Sequence, residues 1–389
     1  MEMLHIVNLI VDDKFIDNVI EFHSLTSAYC RHEYILLSCN RNQKYRYITR
    51  GNDVVRMHPD CFIDYVNKGN VDAIFLHSLF SIPLELLPKI RKEIKTFWFA
   101  WGYDIYESPS YSPFIPLQLY HEQTSRFIKQ YGGGILSIVK SFVKMLLGKY
   151  RSSKKQYHLY KEAVERIDYF SGVLPAEYGL AKTISYFHAL PVSYSYVIKN
   201  FGIIHNENCE GNNILIGNSA NPTNNHLDVF AYLKSLELAD RNIILPLSYG
   251  GSQNYVSHVI KEAKNILGNN VTILEDFLPL NKYTQLIESC NVAIFYHERQ
   301  QALGNIFLAI KRGCKVFLSE KSITYQYFKN VGVVIFSIQH DLNQMELDKP
   351  LSERERKRNK DIVLSLNDEN VKIANMLELY KIISDAKKL

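Results

Sequence analysis

Short apolar runs alternate with helix-period segments along most of the chain, as βαβ units around a buried parallel sheet do. In the first half the runs at 4–11, 34–38, 73–77 and 96–100 read as strands, with a further one at 166–174. Segment 201–212, with Asn206-Glu207-Asn208 and Gly211-Asn212, is turn-forming and reads as a linker. The pattern then restarts, with strands expected at 213–217, 242–247, 271–274, 292–296 and 315–318. A last helical stretch, 369–389, places Val371, Ile373, Ala374, Leu377, Tyr380 and Ile383 at apolar positions. The expected layout is an α/β domain over 1–205, a second over 206–365 and a C-terminal helix in 366–389. Two successive α/β halves make the cleft between them the default binding place.

One segment breaks the rhythm. Between Arg126 and Lys155 stand Arg126, Lys129, Lys140, Lys144, Lys149, Arg151, Lys154 and Lys155, with no acidic residue. Ile135, Ile138, Val139, Phe142, Val143, Leu146 and Leu147 fall at helical spacing behind Gly132-Gly133-Gly134. A basic amphipathic insertion at 126–156 suits an anionic membrane surface, and equally an ordinary surface helix with its apolar face on the core.

The bulk numbers narrow the class. At 389 residues the chain exceeds one comfortable core and fits two domains. The 26 Tyr and 20 Phe supply amphipathic rings for clefts or lipid interfaces, or reflect compositional bias. A net charge of +5, without a basic, aromatic-interleaved motif, gives no reason to expect nucleic acid. The six cysteines have no paired spacing for zinc or a redox dithiol and suit a reducing compartment. The first strand-like run follows directly on the N-terminus, and no apolar stretch reaches the roughly 20 residues of a bilayer span. The expectation is a cytoplasmic protein, peripheral to a membrane at most.

The chemistry concentrates in 271–318. Strand 292–296 leads into His297-Glu298-Arg299-Gln300-Gln301-Ala302-Leu303-Gly304-Asn305, then a helix expected over 306–312, closed by Gly313. A polar loop between a strand's carboxyl end and a helix N-terminus is an anion site, because free N–H groups and the positive dipole end point outward. Arg299 suits a diphosphate and Glu298 a sugar hydroxyl. A plain βα connection is the alternative.

These stretches together resemble the TDP-N-acetylfucosamine:lipid II N-acetylfucosaminyltransferase family, glycosyltransferase family 56, of the GT-B class. The resemblance is carried by Trp101-Gly102-Tyr103-Asp104-Ile105-Tyr106-Glu107, Gly217-Asn218-Ser219 with Asn225-His226, Leu245-Pro246-Leu247-Ser248-Tyr249-Gly250, and the run from Tyr283 through Arg299-Gln300-Gln301 to Gly313. It is nearly continuous over about 213–330 and patchy before that, and the long basic insertion departs from it.

The resemblance implies an α/β fold of two Rossmann-like domains facing a central cleft, the second holding the donor, with the C-terminal helix in 366–389 crossing back to the first domain. It implies donor contacts at Gly217, Asn218, Ser219, Tyr249, Gly250, Glu298, Arg299, Gln300, Gln301, Gly304 and Asn305. Glu275 to Leu278 then sits where the base is held, with Phe277 and Leu278 flanking it or Phe277 simply buried. It further implies a TDP- or UDP-sugar donor and a polyprenyl-diphosphate-linked glycan acceptor at the inner face of the cytoplasmic membrane.

Transfer to a hydroxyl needs its proton removed, or the departing nucleotide stabilised. Asp104, after a strand, is the first candidate base, or else a helix cap. His77, at the end of 73–77, is the second, or else a satisfied structural residue. His226 reads as a loop contact or an exposed helix residue. No Asp-x-Asp triplet occurs, so no metal or other cofactor is expected. An O-antigen or capsule transferase using another sugar, and a silent nucleotide- or glycan-binding scaffold, are the alternatives. A dehydrogenase is disfavoured because the first βα turn, Asn8 to Lys14, lacks Gly-x-Gly-x-x-Gly.

Overall fold

The computed structural model describes residues 3–40, 44–106, 115, 117–131, 150–195, 211–238 and 241–387. They divide into two units, one of Met1–Pro116, Met145–Lys199 and Asn367–Leu389, the other of Leu117–Lys144 and Asn200–Leu366.

The first unit is built on a seven-stranded sheet of β1 (Leu4–Leu9), β2 (Cys30–Leu37), β3 (Val54–Met57), β4 (Ala73–His77), β5 (Lys95–Phe99), β6 (Tyr169–Ser171) and β7 (Leu190–Pro191). Its order is β3-β2-β1-β4-β5-β6-β7, all parallel, so the winding reverses between β1 and β4. Every residue of β4 is buried, and such a strand reads as an unbroken apolar run. β3 and β7 sit at the edges and were not legible: β3 exposes Val55 and carries Arg56, and β7 is two exposed residues.

The C-terminal helix Glu369–Ala386 belongs to this unit. It lays Met376, Leu379, Tyr380 and Ile383 against Leu4, Ile6, Phe75 and Phe97. The Tyr380 hydroxyl lies 2.6 Å from Thr26 Oγ1 and 2.7 Å from His32 Nε2, and Lys387 pairs with Asp72 at 2.8 Å.

The second unit carries β8 (Asn213–Ile216), β9 (Ile243–Pro246), β10 (Val271–Leu274), β11 (Cys290–Phe295), β12 (Lys315–Leu318) and β13 (Phe336–Ser337). The order β10-β9-β8-β11-β12-β13, again parallel, repeats the same winding, with the reversal between β8 and β11. Strand periodicity splits the core: Ile214, Ile216, Val292 and Ile294 face one side, Leu215, Ala293 and Phe295 the other.

A piece of the chain's first half completes this unit. The helix Glu122–Tyr131 packs Phe127 among Leu227, Tyr255 and Val259. The Asp228 carboxylate accepts Gln123 N (2.7 Å), Thr124 N (3.0 Å) and Thr124 Oγ1 (2.7 Å). Asp228 therefore caps a helix more than a hundred residues away in sequence, and Arg126 and Lys129 of the basic stretch lie on that helix. Lys154 and Lys155 lie on the helix Tyr150–Glu165 of the first unit. The expected amphipathic core of the stretch, 135–147, and linker residues 201–210 lie outside the described residues. Among the described residues no helix is long and apolar enough to cross a membrane.

Candidate active site

In the second unit the loops after β8 and β11 flank the reversal point, the place where doubly wound sheets bind ligands. After β8 the chain turns on Gly217 with φ +68°, and a Cβ there would lie 2.9 Å from Asn224 Oδ1 and 3.0 Å from His226 Nε2. Only glycine meets both demands. Asn224 then closes the loop on itself: its Oδ1 accepts Asn218 N (3.2 Å), and its Nδ2 donates to Ser219 O (3.0 Å) and Asn221 O (3.0 Å).

Asn225, in the left-handed region at φ 51°, starts the helix His226–Leu233. Its Nδ2 donates to Leu119 O (3.1 Å) and Tyr296 O (2.8 Å), while its Oδ1 accepts His121 N (2.9 Å). One side chain thus ties three loops.

The β11 loop packs inward. His297, Glu298, Arg299, Gln300 and Gln301 are all buried. Gln301 joins the two loops, its Nε2 donating to Asn218 Oδ1 (3.1 Å) and its Oε1 accepting Thr223 Oγ1 (2.6 Å). Glu298 Oε1 accepts Ser319 Oγ (2.7 Å) and lies 2.6 Å from Nε2 of His121, whose ring stacks on Tyr296 at 3.9 Å. Arg299 Nη1 donates to Gln300 O at 3.2 Å. Ala302 then turns through the left-handed region (φ 56°) into the helix Leu303–Lys311, which has no side-chain cap. Gly304 and Asn305 lie in its first turn, half-buried. That N-terminus is suited to an anion.

Two buried imidazoles lie behind these loops. His226 Nδ1 is 3.3 Å from the Tyr255 hydroxyl, and Nε2 of both His226 and His297 has no hydrogen-bond partner. Burial drives both values down to about 3, Arg299 and His226 adding to the effect on His297. They are neutral rings, each with a buried ring nitrogen that has no hydrogen-bond partner. His226, read as an exposed helix residue or loop contact, is fully buried against the Gly217 turn.

Beside them, the Tyr249 hydroxyl accepts Asn218 Nδ2 (3.1 Å), and the Tyr249 carbonyl accepts Ala220 N (2.7 Å). Gly250, at φ +86°, follows and is exposed. Positions 217–226, 249–250 and 296–305 are therefore one constellation. Phe277 and Leu278 stand after β10, two strands from β8. Phe277 is 65 % exposed, which removes the buried-packing alternative, and Leu278 is half-buried.

The two base candidates of the first unit are both buried. Asp104 is 0 % exposed. Its Oδ2 accepts Trp98 Nε1 (2.8 Å) and Leu79 N (3.0 Å), its Oδ1 accepts Trp101 N (2.9 Å), and the Tyr160 hydroxyl donates to its carbonyl (3.1 Å). Burial raises its pKa against those hydrogen bonds. With its oxygens spent on holding two strand-end turns, Asp104 is a structural carboxylate. His77 is also fully buried, its Nε2 3.2 Å from Asn8 Oδ1, and burial and then His32 push it down to about 3. Its Nδ1 has no partner, but neither face of the ring reaches solvent. Neither side chain is open to solvent.

Residues missed in sequence were His121, Thr223, Asp228 and Tyr296. The first lies more than a hundred positions from each of its partners, and an Asn-rich loop gives no sign of which amide faces inward.

Three solved structures share this architecture. A glycosyltransferase from Rickettsia africae ESF-5 is 12% identical, with 98% of this chain and 99% of that chain covered and a TM-score of 0.64. Sucrose-phosphate synthase from Thermosynechococcus elongatus is 12% identical over 98% and 100%, TM-score 0.64. Anabaena HepE in complex with UDP and glucose is 10% identical over 98% and 100%, TM-score 0.64. Two parallel Rossmann-like sheets with this winding make the GT-B fold, which the chain shares with these structures. More particularly, residues 195–359, which contain the whole β8–β11 constellation, match the model of the family described as 4-alpha-L-fucosyltransferase glycosyl transferase group 56. That is the family the sequence motifs resemble.

Proposed function

We propose that this enzyme moves a deoxy-amino sugar of the N-acetylfucosamine type from a TDP-sugar to a polyprenyl-diphosphate-linked glycan in bacterial surface-polysaccharide synthesis. The observation that carries the reading is the Gln301–Asn218–Thr223 tie, which joins the loops on both sides of the reversal point inside the segment matching group 56. The diphosphate of the donor seats on the N-terminus of the helix Leu303–Lys311 with Arg299 beside it, and the sugar lies by Gly217, Asn218 and Ser219. Tyr249 and Gly250 complete that wall, and Phe277 with Leu278 flanks the base. Charge on the departing diphosphate is met by the helix end and Arg299, so activity persists in EDTA. The acceptor lipid sets the workplace at the inner face of the cytoplasmic membrane.

Titration of the purified chain with TDP, UDP, GDP and ADP tests the donor. Selective binding of TDP supports the reading. Preference for UDP or GDP moves the function to an O-antigen or capsule transferase, and binding of none of the four leaves a silent scaffold.

A further inference from the structure

A polar cavity lies in the first unit. A pocket of about 230 Å³ opens at the carboxyl ends of β1, β2 and β3, with Phe80 and Ser81 of the turn after β4 closing one side. It too sits at a winding reversal, the one between β1 and β4, where ligands of such sheets bind. Ile10, Leu36 and Leu37 supply apolar wall, while Asp12, Ser38, Lys44 and Arg56 supply the polar groups.

The charges are arranged unequally. Asp12 is spent: its Oδ1 accepts Tyr47 N (3.1 Å) and Ile48 N (3.2 Å), and its Oδ2 accepts Arg46 N (2.7 Å). Asp17 holds the next two residues, its Oδ1 accepting Arg50 N (3.2 Å) and its Oδ2 accepting Thr49 N (3.1 Å). Two carboxylates thus pin the backbone from Arg46 to Arg50, and with it the approach of Lys44 and Tyr45 to the pocket. Arg56 stacks its guanidinium on the Tyr45 ring at 4.0 Å. The ring holds the guanidinium as a cation–π partner, and its N–H fork suits an acceptor. Neither Arg56 nor Lys44 is in an ion pair among the described residues.

We propose that this pocket seats a phosphoryl group of the acceptor, held by the Arg56 fork and by Lys44, with the neighbouring apolar wall taking the group attached to it. The proposal deepens the acceptor reading above and rests on it. A planar fork beside a single ammonium is the chemistry of phosphate recognition. The volume, below the roughly 300 Å³ at which small-ligand pockets begin, limits the occupant to one diphosphate- or monosaccharide-sized group.

The test uses the full chain with its nucleotide site saturated by the nucleoside diphosphate it prefers, so that the donor's anion site is filled. Calorimetric titration with inorganic pyrophosphate should then show one further site. Arg56→Ala and Lys44→Ala should each weaken it by about 10- to 100-fold, the loss of one charge-assisted contact, with Arg56→Lys in between. In turnover with a short-chain prenyl-diphosphate glycan, the same variants should raise the acceptor KM and leave the donor KM and the melting temperature unchanged. Pyrophosphate binding unaltered in both folded Ala variants overturns the pocket. Pyrophosphate binding that Arg56→Ala abolishes, in an enzyme that turns over no prenyl-diphosphate acceptor, keeps the anion pocket and overturns the acceptor reading.

Discussion

Replacing Asp104 by Asn separates a structural carboxylate from a catalytic base. Asn is nearly isosteric but offers one oxygen where Asp offers two. If that oxygen keeps Trp98 Nε1 and Leu79 N, the amide nitrogen faces Trp101 N, donor against donor, at a site with no solvent. Leaving one buried N–H unsatisfied costs about 1–3 kcal/mol, and the two remaining bonds lose their charge assistance. Removing the burial penalty on the charge offsets part of this, because the Asp104 pKa is already raised by desolvation. The net expectation is about 2–4 kcal/mol of destabilisation. For a unit of this size that is a fall in melting temperature of about 5–15 °C. Thermal melts beside steady-state kinetics make the assay. The structural role predicts a lower melting temperature and a kcat within a few-fold of wild type for the folded fraction. A base role predicts the reverse, unchanged melting with kcat down by about 10²–10⁴. That second pattern would refute the reasoning.

Three further expectations follow from the same geometry. Burial holds His23, His32 and His77 below the ordinary histidine value of 6.5, His32 and His77 down to about 3. Above 6.5 both folded and unfolded chains carry them neutral, and below it only the unfolded chain takes up protons. Stability of the first unit therefore falls by up to about 1.4 kcal/mol per pH unit per histidine as pH drops from 6.5 towards 3. Urea melts from about pH 7 to about pH 5 should show a shallower slope in His77→Gln, and an identical slope would contradict the assignment. Gly217→Ala forces a left-handed alanine into Asn224 and His226, so it should cost more than the roughly 1–2 kcal/mol of the backbone alone. Nucleotide affinity should fall with it, and wild-type melting and affinity together would be inconsistent with the tight turn. Arg299→Ala should weaken nucleoside diphosphate binding by about 10- to 100-fold while leaving nucleoside binding nearly intact, and calorimetry with both ligands distinguishes the two.

What the sequence determined by itself is the part that rests on local pattern. The central strands β1, β4, β8 and β11 are largely buried on both faces and so are written as mainly apolar runs. The polar loop 297–305 between a strand and a helix announced itself by composition and position alone. The C-terminal helix was visible in its period, which required an apolar partner without naming it. The edge strands β3, β7 and β13 were not visible, because two to four residues with one face open carry too little pattern.

Tertiary structure alone decided which polar groups hold the fold. Asp104 ends a strand in an inviting motif, yet Trp98 and two backbone N–H groups claim both of its oxygens. Asp228, in the first turn of its own helix, caps the distant helix Glu122–Tyr131. His226 looked exposed and is buried with a bare ring nitrogen. The physical reason is common to all three. Periodicity reports how much of a residue faces water on average, whereas a hydrogen bond joins particular atoms across a separation in sequence that no local pattern encodes.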